Sequence, residues 1–380
     1  MKHIVIIAFI VLLGFFSVGI PLATLPSFVR EILGFSDIWV GIVLGIQSLI
    51  TLLTRHHSGM IADRQGPKVA VSRGITLAVV SGLITVVAIN LSDILSLSAI
   101  LLGRMVLGYS ESLFITGALS WGVGLAGAKN AGRVMAWSGM AMYASLAISP
   151  PLSYVVFRHF SFSGAISLTI LLPLLAGLIS RLIPSSPVSS VPRIPFYKVI
   201  PLVWKQGTGL AFAAVSFAGI AGFSSLLFKQ NGWEDAPWVM TVFGAAYIFA
   251  RIFFAQTPDR FGGKKVALVS SAIAVFGQWM IWQANSPMLV LCGAAITGFG
   301  YSLVFPAFGV EAIRNIDGQY RGVALGAYIA FFDLALGVTG PLAGMVANWF
   351  GYSSVFVLGM FACTISFFLA LSMKKVGEVK

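Results

Sequence analysis

The stretch Gly59-Met60-Ile61-Ala62-Asp63-Arg64-Gln65-Gly66-Pro67-Lys68 decides how this chain is read. It is a short charged turn between two long apolar runs. A weakened copy returns as Ala255-Gln256-Thr257-Pro258-Asp259-Arg260-Phe261-Gly262-Gly263-Lys264, 196 residues later in a chain of 380. Both copies read Asp-Arg-x-Gly-x-Lys. Each is preceded by an arginine nine residues before its own, Arg55 before Arg64 and Arg251 before Arg260. A turn repeated at half the chain length marks a duplicated unit.

Composition says what kind of unit. The chain is 58% hydrophobic and only 9% charged, with a mean hydropathy of +0.95. Soluble domains carry about 25% charged residues. So much apolar surface cannot be hidden in a soluble fold of this size, so the solvent is lipid. A membrane helix needs roughly 20 apolar residues, and about twelve such runs fit. They are continuously apolar rather than alternating, which excludes a transmembrane barrel.

Spans are predicted at 4–29, 38–62, 69–90, 94–121, 131–157 and 164–183, then at 204–228, 237–256, 265–285, 287–313, 322–346 and 353–373. The first run begins with Lys2 like a signal peptide. It continues to Val29 with no small-residue cleavage site, and so reads as a span. Pro184-Ser185-Ser186-Pro187-Val188-Ser189-Ser190-Val191-Pro192 is the one linker-like stretch, extended by its prolines. The expected organisation is all-α, with twelve transmembrane helices in two pseudo-symmetric six-helix halves. The halves are 1–183 and 204–380, joined by a linker at 184–203. Gly108-Tyr109-Ser110-Glu111-Ser112-Leu113 in span four aligns with Gly298-Phe299-Gly300-Tyr301-Ser302-Leu303 in span ten, and Ser149-Pro150 with Gly340-Pro341. Parallel six-span repeats are the plan of one transporter class.

The net charge of +12 is not a nucleic-acid signature, because of where the charges lie. Of the 24 Lys and Arg residues, all but six fall in alternate segments, from Lys2, Arg64, Lys68 and Arg73 through Lys129, Arg193 and Lys198 to Arg321, Lys374, Lys375 and Lys380. The opposite loops hold only Arg30, Arg158 and Lys229. Arg55, Arg104 and Arg251 lie inside or at the edge of spans. That asymmetry puts both termini in the cytoplasm. Cys292 and Cys363 sit within apolar runs as packing residues, and no metal-ligand spacing exists. No cofactor is called for.

The whole chain resembles a Major Facilitator Superfamily transporter. Gly59 to Lys68 matches that superfamily's turn after span two, and the degenerate copy after span eight is similar to its second occurrence. Gly103-Arg104 with Gly108 to Ser112 resembles the drug–proton antiporter-like, sugar-efflux-like branch. Span five departs from that branch, reading Gly139 through Ser149-Pro150-Pro151 where a motif ending Gly-Pro is expected; the cleaner Gly340-Pro341 is in span eleven. The resemblance implies alternating access by two halves in the inner membrane, a small-molecule substrate and a monomer. It also implies a cytoplasmic latch at Gly59, Asp63, Arg64, Gly66 and Lys68, with Asp259 and Arg260 in the second copy. Gly66 is expected to permit the tight turn.

A charge at the bilayer centre costs about 2.5–3.5 kcal/mol on insertion scales, so it usually faces a partner or a water-filled cavity. Three residues lie near mid-span: Arg104, Glu111 and Asp333. Arg104 and Glu111 are seven residues apart, two helical turns or about 10 Å. That separation is too long for a direct pair along one helix, and both are expected to look into one space. Glu111 can take and release a proton. Arg104 cannot lose its own, and it can hold a carboxylate ionised or meet an anion. Asp333 shares a face with Gly326, Ala330, Gly337, Gly340 and Gly344, where another helix packs closely. The counterparts in the other half are Ala294 for Arg104, Tyr301 for Glu111 and Met142 for Asp333, all uncharged. Candidate substrate contacts are Gln47, Tyr143, Tyr247, Tyr301, Tyr328 and Phe332. Glu311 and Arg314 read as an edge pair.

The sequence therefore predicts a secondary transporter that couples proton movement to export of a small organic solute. Proton-coupled import on the same fold remains open. A membrane receptor would carry a signalling domain, and no loop is long enough for one. The chain has no phosphate-binding Gly-x-x-x-x-Gly-Lys loop and no nucleophile–base pair in its spans, which speaks against an ATP-driven pump and an enzyme.

Overall fold

The computed structural model describes residues 2–127, 130–186, 199–234, 236–314, 316 and 321–373. The central part of the linker, 187–198, and Lys129, Arg193, Lys198, Lys374, Lys375 and Lys380 lie outside the described residues, as does the Arg321 side chain. Among the described residues, twelve helices are long and apolar enough to cross a membrane. The first six are α1 (Lys2–Ser27), α2 (Asp37–Arg64), α3 (Pro67–Ala88), α4 (Asp93–Ala126), α5 (Ala131–Phe160) and α6 (Phe162–Arg181). Next come α7 (Ile200–Gln230), α8 (Ala236–Phe254), a five-residue helix α9 (Thr257–Phe261) and α10 (Gly263–Trp282). The last are α11 (Pro287–Ile313), α12 (Arg321–Phe350) and α13 (Ser353–Leu371). The expected helices are all present.

The helix ends follow from local chemistry. α1 carries Pro21 and Pro26 within it and widens into a looser turn at Phe28–Ile32. α4 continues five residues beyond the expected end at Trp121, to Ala126, because nothing breaks the helix before Gly127. α12 likewise runs past Val346 to Phe350. Gly66 has φ 102° and ψ 145°, a conformation open to glycine and strained for other residues. It stops α2 and lets Pro67 start α3, where a missing N–H costs nothing. Gly262 repeats that shape at φ 86° and ψ 140°. In the second copy, however, Pro258 starts a separate short helix, since proline cannot continue the hydrogen-bond ladder of α8.

The chain divides into two compact units, Met1–Val191 and Pro192–Lys380. In the first, α1 packs on α5 and α6, α3 on α4 and α6, and α2 on α4. Ile7, Val11, Val71, Phe114, Trp121 and Ala176 belong to one core cluster of this unit. In the second, α7 packs on α11, α12 and α13, α10 on α11 and α13, and α8 on α11. Helices in lipid gain little from apolar burial against one another, and close backbone approach replaces it. A methyl group on Gly108 would strike the Gln47 carbonyl of α2, and one on Gly298 would strike the Phe243 carbonyl of α8.

Large apolar side chains line the outer surfaces. Trp279 and Trp282 are 44% and 37% exposed, as expected for lipid contact. Both cysteines are free. Cys363 is buried, but Cys292 is exposed rather than packed, because its position on α11 faces outward.

Candidate functional site

α4 carries the two mid-span charges of the first unit, and α2 supplies their partners. Gln47 Nε2 donates to Glu111 Oε2 at 2.6 Å, and Thr51 Oγ1 lies 3.4 Å from the same oxygen. Thr51 also donates to the Gly108 carbonyl at 2.9 Å. Gly108 is what lets the two helices come this close. One turn before Gln47, the Val43 carbonyl accepts from Arg104 Nε at 3.1 Å. Val43, Gln47 and Thr51 are four apart, so one ridge of α2 serves the whole site.

The two charges differ in environment. Arg104 is 3% exposed, and its Nη1 makes no hydrogen bond among the described residues. Glu111 is half-buried. Both charges meet the same ridge of α2, Arg104 at Val43 and Glu111 at Gln47 and Thr51. Glu111 also borders a small cavity among α1, α3 and α4, with Ser17 and Ser110 in its wall. Its volume is about 10 Å³, room for one water molecule. Asp333 is buried on α12, on the face that also buries Ala330, Gly337, Gly340 and Gly344.

The turn residues separate by role. Gly59 is buried, Asp63 is half-buried in the last turn of α2, and Arg64 is exposed. The next helix N-terminus begins only at Pro67. Lys68 was expected in a latch, and the structure gives it partners inside its own half. Its Nζ donates to Ile183 O at 2.6 Å and Arg181 O at 3.3 Å, closing the C-terminal end of α6. It also stands 5.7 Å from the Trp121 ring centroid, and Trp121 Nε1 donates to Pro184 O at 2.9 Å. Lys264 does the same in the second unit, donating to the Met373 carbonyl just past α13. A cation there satisfies terminal carbonyls and the helix dipole together. Asp259 and Arg260 are exposed.

Glu311 is not the edge residue that its sequence position suggests. It pairs with Arg314 at 2.7 Å, as three-residue spacing predicts, but its side chain is 5% exposed. It also accepts from the Lys264 backbone N–H at 3.3 Å. It is a buried cap on the N-terminus of α10, not an edge feature.

Of the candidate substrate contacts, Gln47 is bonded to Glu111 and Tyr143 is buried on α5. Phe332 is half-buried on α12. Tyr247, Tyr301 and Tyr328 are buried in the second unit. Tyr301 stacks on Phe217 at 5.9 Å and lies 6.2 Å from Tyr247, while Tyr328 Oη donates to Phe305 O at 2.8 Å. Sequence reasoning missed Arg251 as their neighbour. Its Nη2 donates to Tyr247 Oη at 2.7 Å, and its guanidinium lies 5.2 Å from that ring centroid. Their four-residue spacing on α8 was the available signal. Among the described residues no group of three or more His, Cys, Asp or Glu could hold a metal ion.

The family model of the Major Facilitator Superfamily matches residues 7–234 and 207–379. The chain belongs to the Major Facilitator Superfamily. An uncharacterized MFS-type transporter of Salmonella typhimurium (strain LT2) is 40% identical over 355 residues, covering 93% of this chain and 91% of that protein. Among solved structures, a D-xylose–proton symporter superposes with a TM-score of 0.78 at 14% identity, over 97% of this chain and 96% of the other. A mutant of the nucleoside transporter NupG superposes with a TM-score of 0.77 at 14% identity, over 98% of this chain and 100% of the other. At that identity the two structures speak for the twelve-helix fold alone. As a member of this superfamily the chain is an integral membrane transporter and not an enzyme.

Proposed function

We propose that this transporter couples proton movement to export of a small organic solute by alternating access, with Glu111 as the proton carrier. The observation that carries the reading is the Gln47–Glu111 contact. Gln47 Nε2 donates to the carboxylate, while Gln47 Oε1 is buried with no hydrogen-bond partner among the described residues. A carboxamide that turns over presents an acceptor in place of a donor. Gln47 can therefore serve Glu111 in both states, donating to the anion and accepting from the acid. Arg104 stands on the same helix two turns before Glu111 and bonds the same ridge of α2. Release and uptake are then biased by whatever changes the α2–α4 contact.

Asp333, buried in the second half, is a second candidate carrier. The charge pattern supports placing both termini in the cytoplasm of the inner membrane, with the halves 1–183 and 204–380 rocking about the 184–203 linker. Gly59, Asp63, Arg64, Gly66 and Lys68, with Asp259 and Arg260, are assigned to the cytoplasmic latch. The drug–proton antiporter-like branch is the favoured placement, on Gly103-Arg104 and the Gly108 to Ser112 stretch. The membrane potential supplies about 2.3 kcal/mol per charge per 100 mV, ample for such coupling.

The test uses purified protein in liposomes with an internal pH-sensitive dye and a panel of organic solutes. An outward solute gradient that drives protons inward, lost in Glu111→Gln or Asp333→Asn while the protein remains folded, supports antiport. Solute and protons moving in the same direction replace export with import. Solute movement that is equal in all variants and free of proton flux removes proton coupling.

A further inference from the structure

We propose that Arg251, anchored by Tyr247 beside Tyr301 and Tyr328, receives the anionic group of the transported solute, so that the solute is an organic anion. The inference rests on the reading of the chain as a solute transporter and gives that solute a chemical class.

Arg251 lies in the last turn of α8. A cation at a helix C-terminus is favourable in itself and would ordinarily extend toward water. This one folds back instead. Its guanidinium lies over Tyr247, one turn earlier, and donates to the phenol oxygen at 2.7 Å. Helical side chains lean toward the N-terminus, so the charge is carried toward the membrane interior rather than out of it. Among the described residues no carboxylate lies within ion-pair distance of Arg251, and the bond to Tyr247 is its one hydrogen bond. A guanidinium has five N–H donors, which leaves most of them available.

The surroundings are those of an anion site. Tyr301 lies 6.2 Å from Tyr247, between ring centroids, and Tyr328 Oη is held by Phe305 O, so of the three phenols it is Tyr247 that touches the cation. Their rings are closed core: Tyr247 is 3% exposed, Tyr301 2% and Tyr328 0%. Phe217 and Phe243 back them. The rings fix the hydroxyls in place, and Arg251, which is half-buried, is the member still open to a ligand. A span arginine with donors unused and no counter-charge among the described residues is suited to a charge that arrives. Carboxylate, sulfonate and phosphonate groups all match the planar fork of arginine.

The experiment is calorimetric titration of the full-length protein in lipid nanodiscs. The probes are benzoate, benzenesulfonate and benzylphosphonate, with neutral benzamide as the matched control. At least one anion is expected to bind where benzamide does not. Arg251→Gln is expected to weaken that anion about 10- to 100-fold, with Arg251→Lys intermediate. Should Arg251→Gln fail to fold, Tyr247→Phe retains the charge but frees the guanidinium, and is expected to weaken the anion several-fold. Three results overturn the proposal: no anion binds, benzamide binds as well as the anions, or anion affinity is unchanged in the folded variants. Anion binding in a protein that moves no protons would remove the coupling mechanism and leave this inference intact. Proton flux driven only by neutral solutes would do the reverse.

Discussion

Gly66 and Gly262 hold nearly the same backbone shape, φ 102° and ψ 145° against φ 86° and ψ 140°, and Lys68 and Lys264 close the ends of α6 and α13 in the same way. The helix contacts of the two halves match as well. Gly108 meets Gln47, and Gly298 meets Phe243, with 190 residues between the two glycines and 196 between their partners. Elsewhere the same contact is kept with its two sides exchanged. Gly82 meets Thr169 in the first half, whereas in the second the glycine is Gly359 and the larger partner is Gln278. Gly117 against Pro67 becomes Ala307 against Gly263. Ser110 donates to the Gly74 carbonyl, and its counterpart Gly300 faces Ser270. What the duplicated frame retains is the closeness of two backbones, not which side supplies the glycine. Charge follows neither pattern. Arg104 and Glu111 face Ala294 and Tyr301 across the repeat, so the chemistry is laid on the frame unequally.

The shared contacts offer the hardest way to break this comparison. Gly108→Ala and Gly298→Ala each push a methyl group into a backbone carbonyl. Overpacking of this kind costs about 1–3 kcal/mol, and a backbone group cannot turn aside as a side chain can. Thermal unfolding in detergent should show large and similar losses for the two; a loss confined to one half would end the equivalence. The exchanged contacts sharpen it. Gly359→Thr alone should destabilise through the Gln278 carboxamide, by about 1–2 kcal/mol. Adding Gln278→Gly rebuilds the arrangement of the first half and should recover most of the loss, a coupling that a double-mutant cycle measures directly. Simple additivity would show that the two sides do not act as a unit. The smallest expected effects are at the lysine caps. Lys68→Met and Lys264→Met should each cost about 1 kcal/mol, read as faster amide exchange confined to the last turns of α6 and α13. A latch role for Lys68 alone would instead alter transport and spare the α6 terminus.

Much of the fold was legible because lipid leaves few options. Continuous apolar runs of helix length, charged loops in alternate segments and a turn repeated at 196 residues give twelve helices before any contact is known. Gly66 was legible for a similar reason, since the turn requires a conformation that glycine alone adopts cheaply. Partners were harder. Glu111 stood out as a mid-span charge, but Gln47 lies 64 residues away, and only the rotation of α2 brings them together. Helices that are apolar all round carry no polar stripe to reveal that rotation. The same blindness explains Lys68, whose acceptors lie 113 and 115 residues on. It explains Glu311 too, whose burial depends on where α10 begins. Arg251 was different: Tyr247 is four residues away on the same helix, and the pair could have been read from spacing alone.

Infrared spectroscopy of the protein in lipid during a pH titration tests proton exchange at Glu111 without a known solute. The account predicts a carbonyl stretch from a protonated carboxylic acid that grows as pH falls. One component of that band should be missing from Glu111→Gln and retained in Asp333→Asn, above the contribution of the chain's other carboxylates, 12 Asp and Glu in all. An identical band in native protein and in Glu111→Gln would show that Glu111 does not exchange a proton, and would contradict the account.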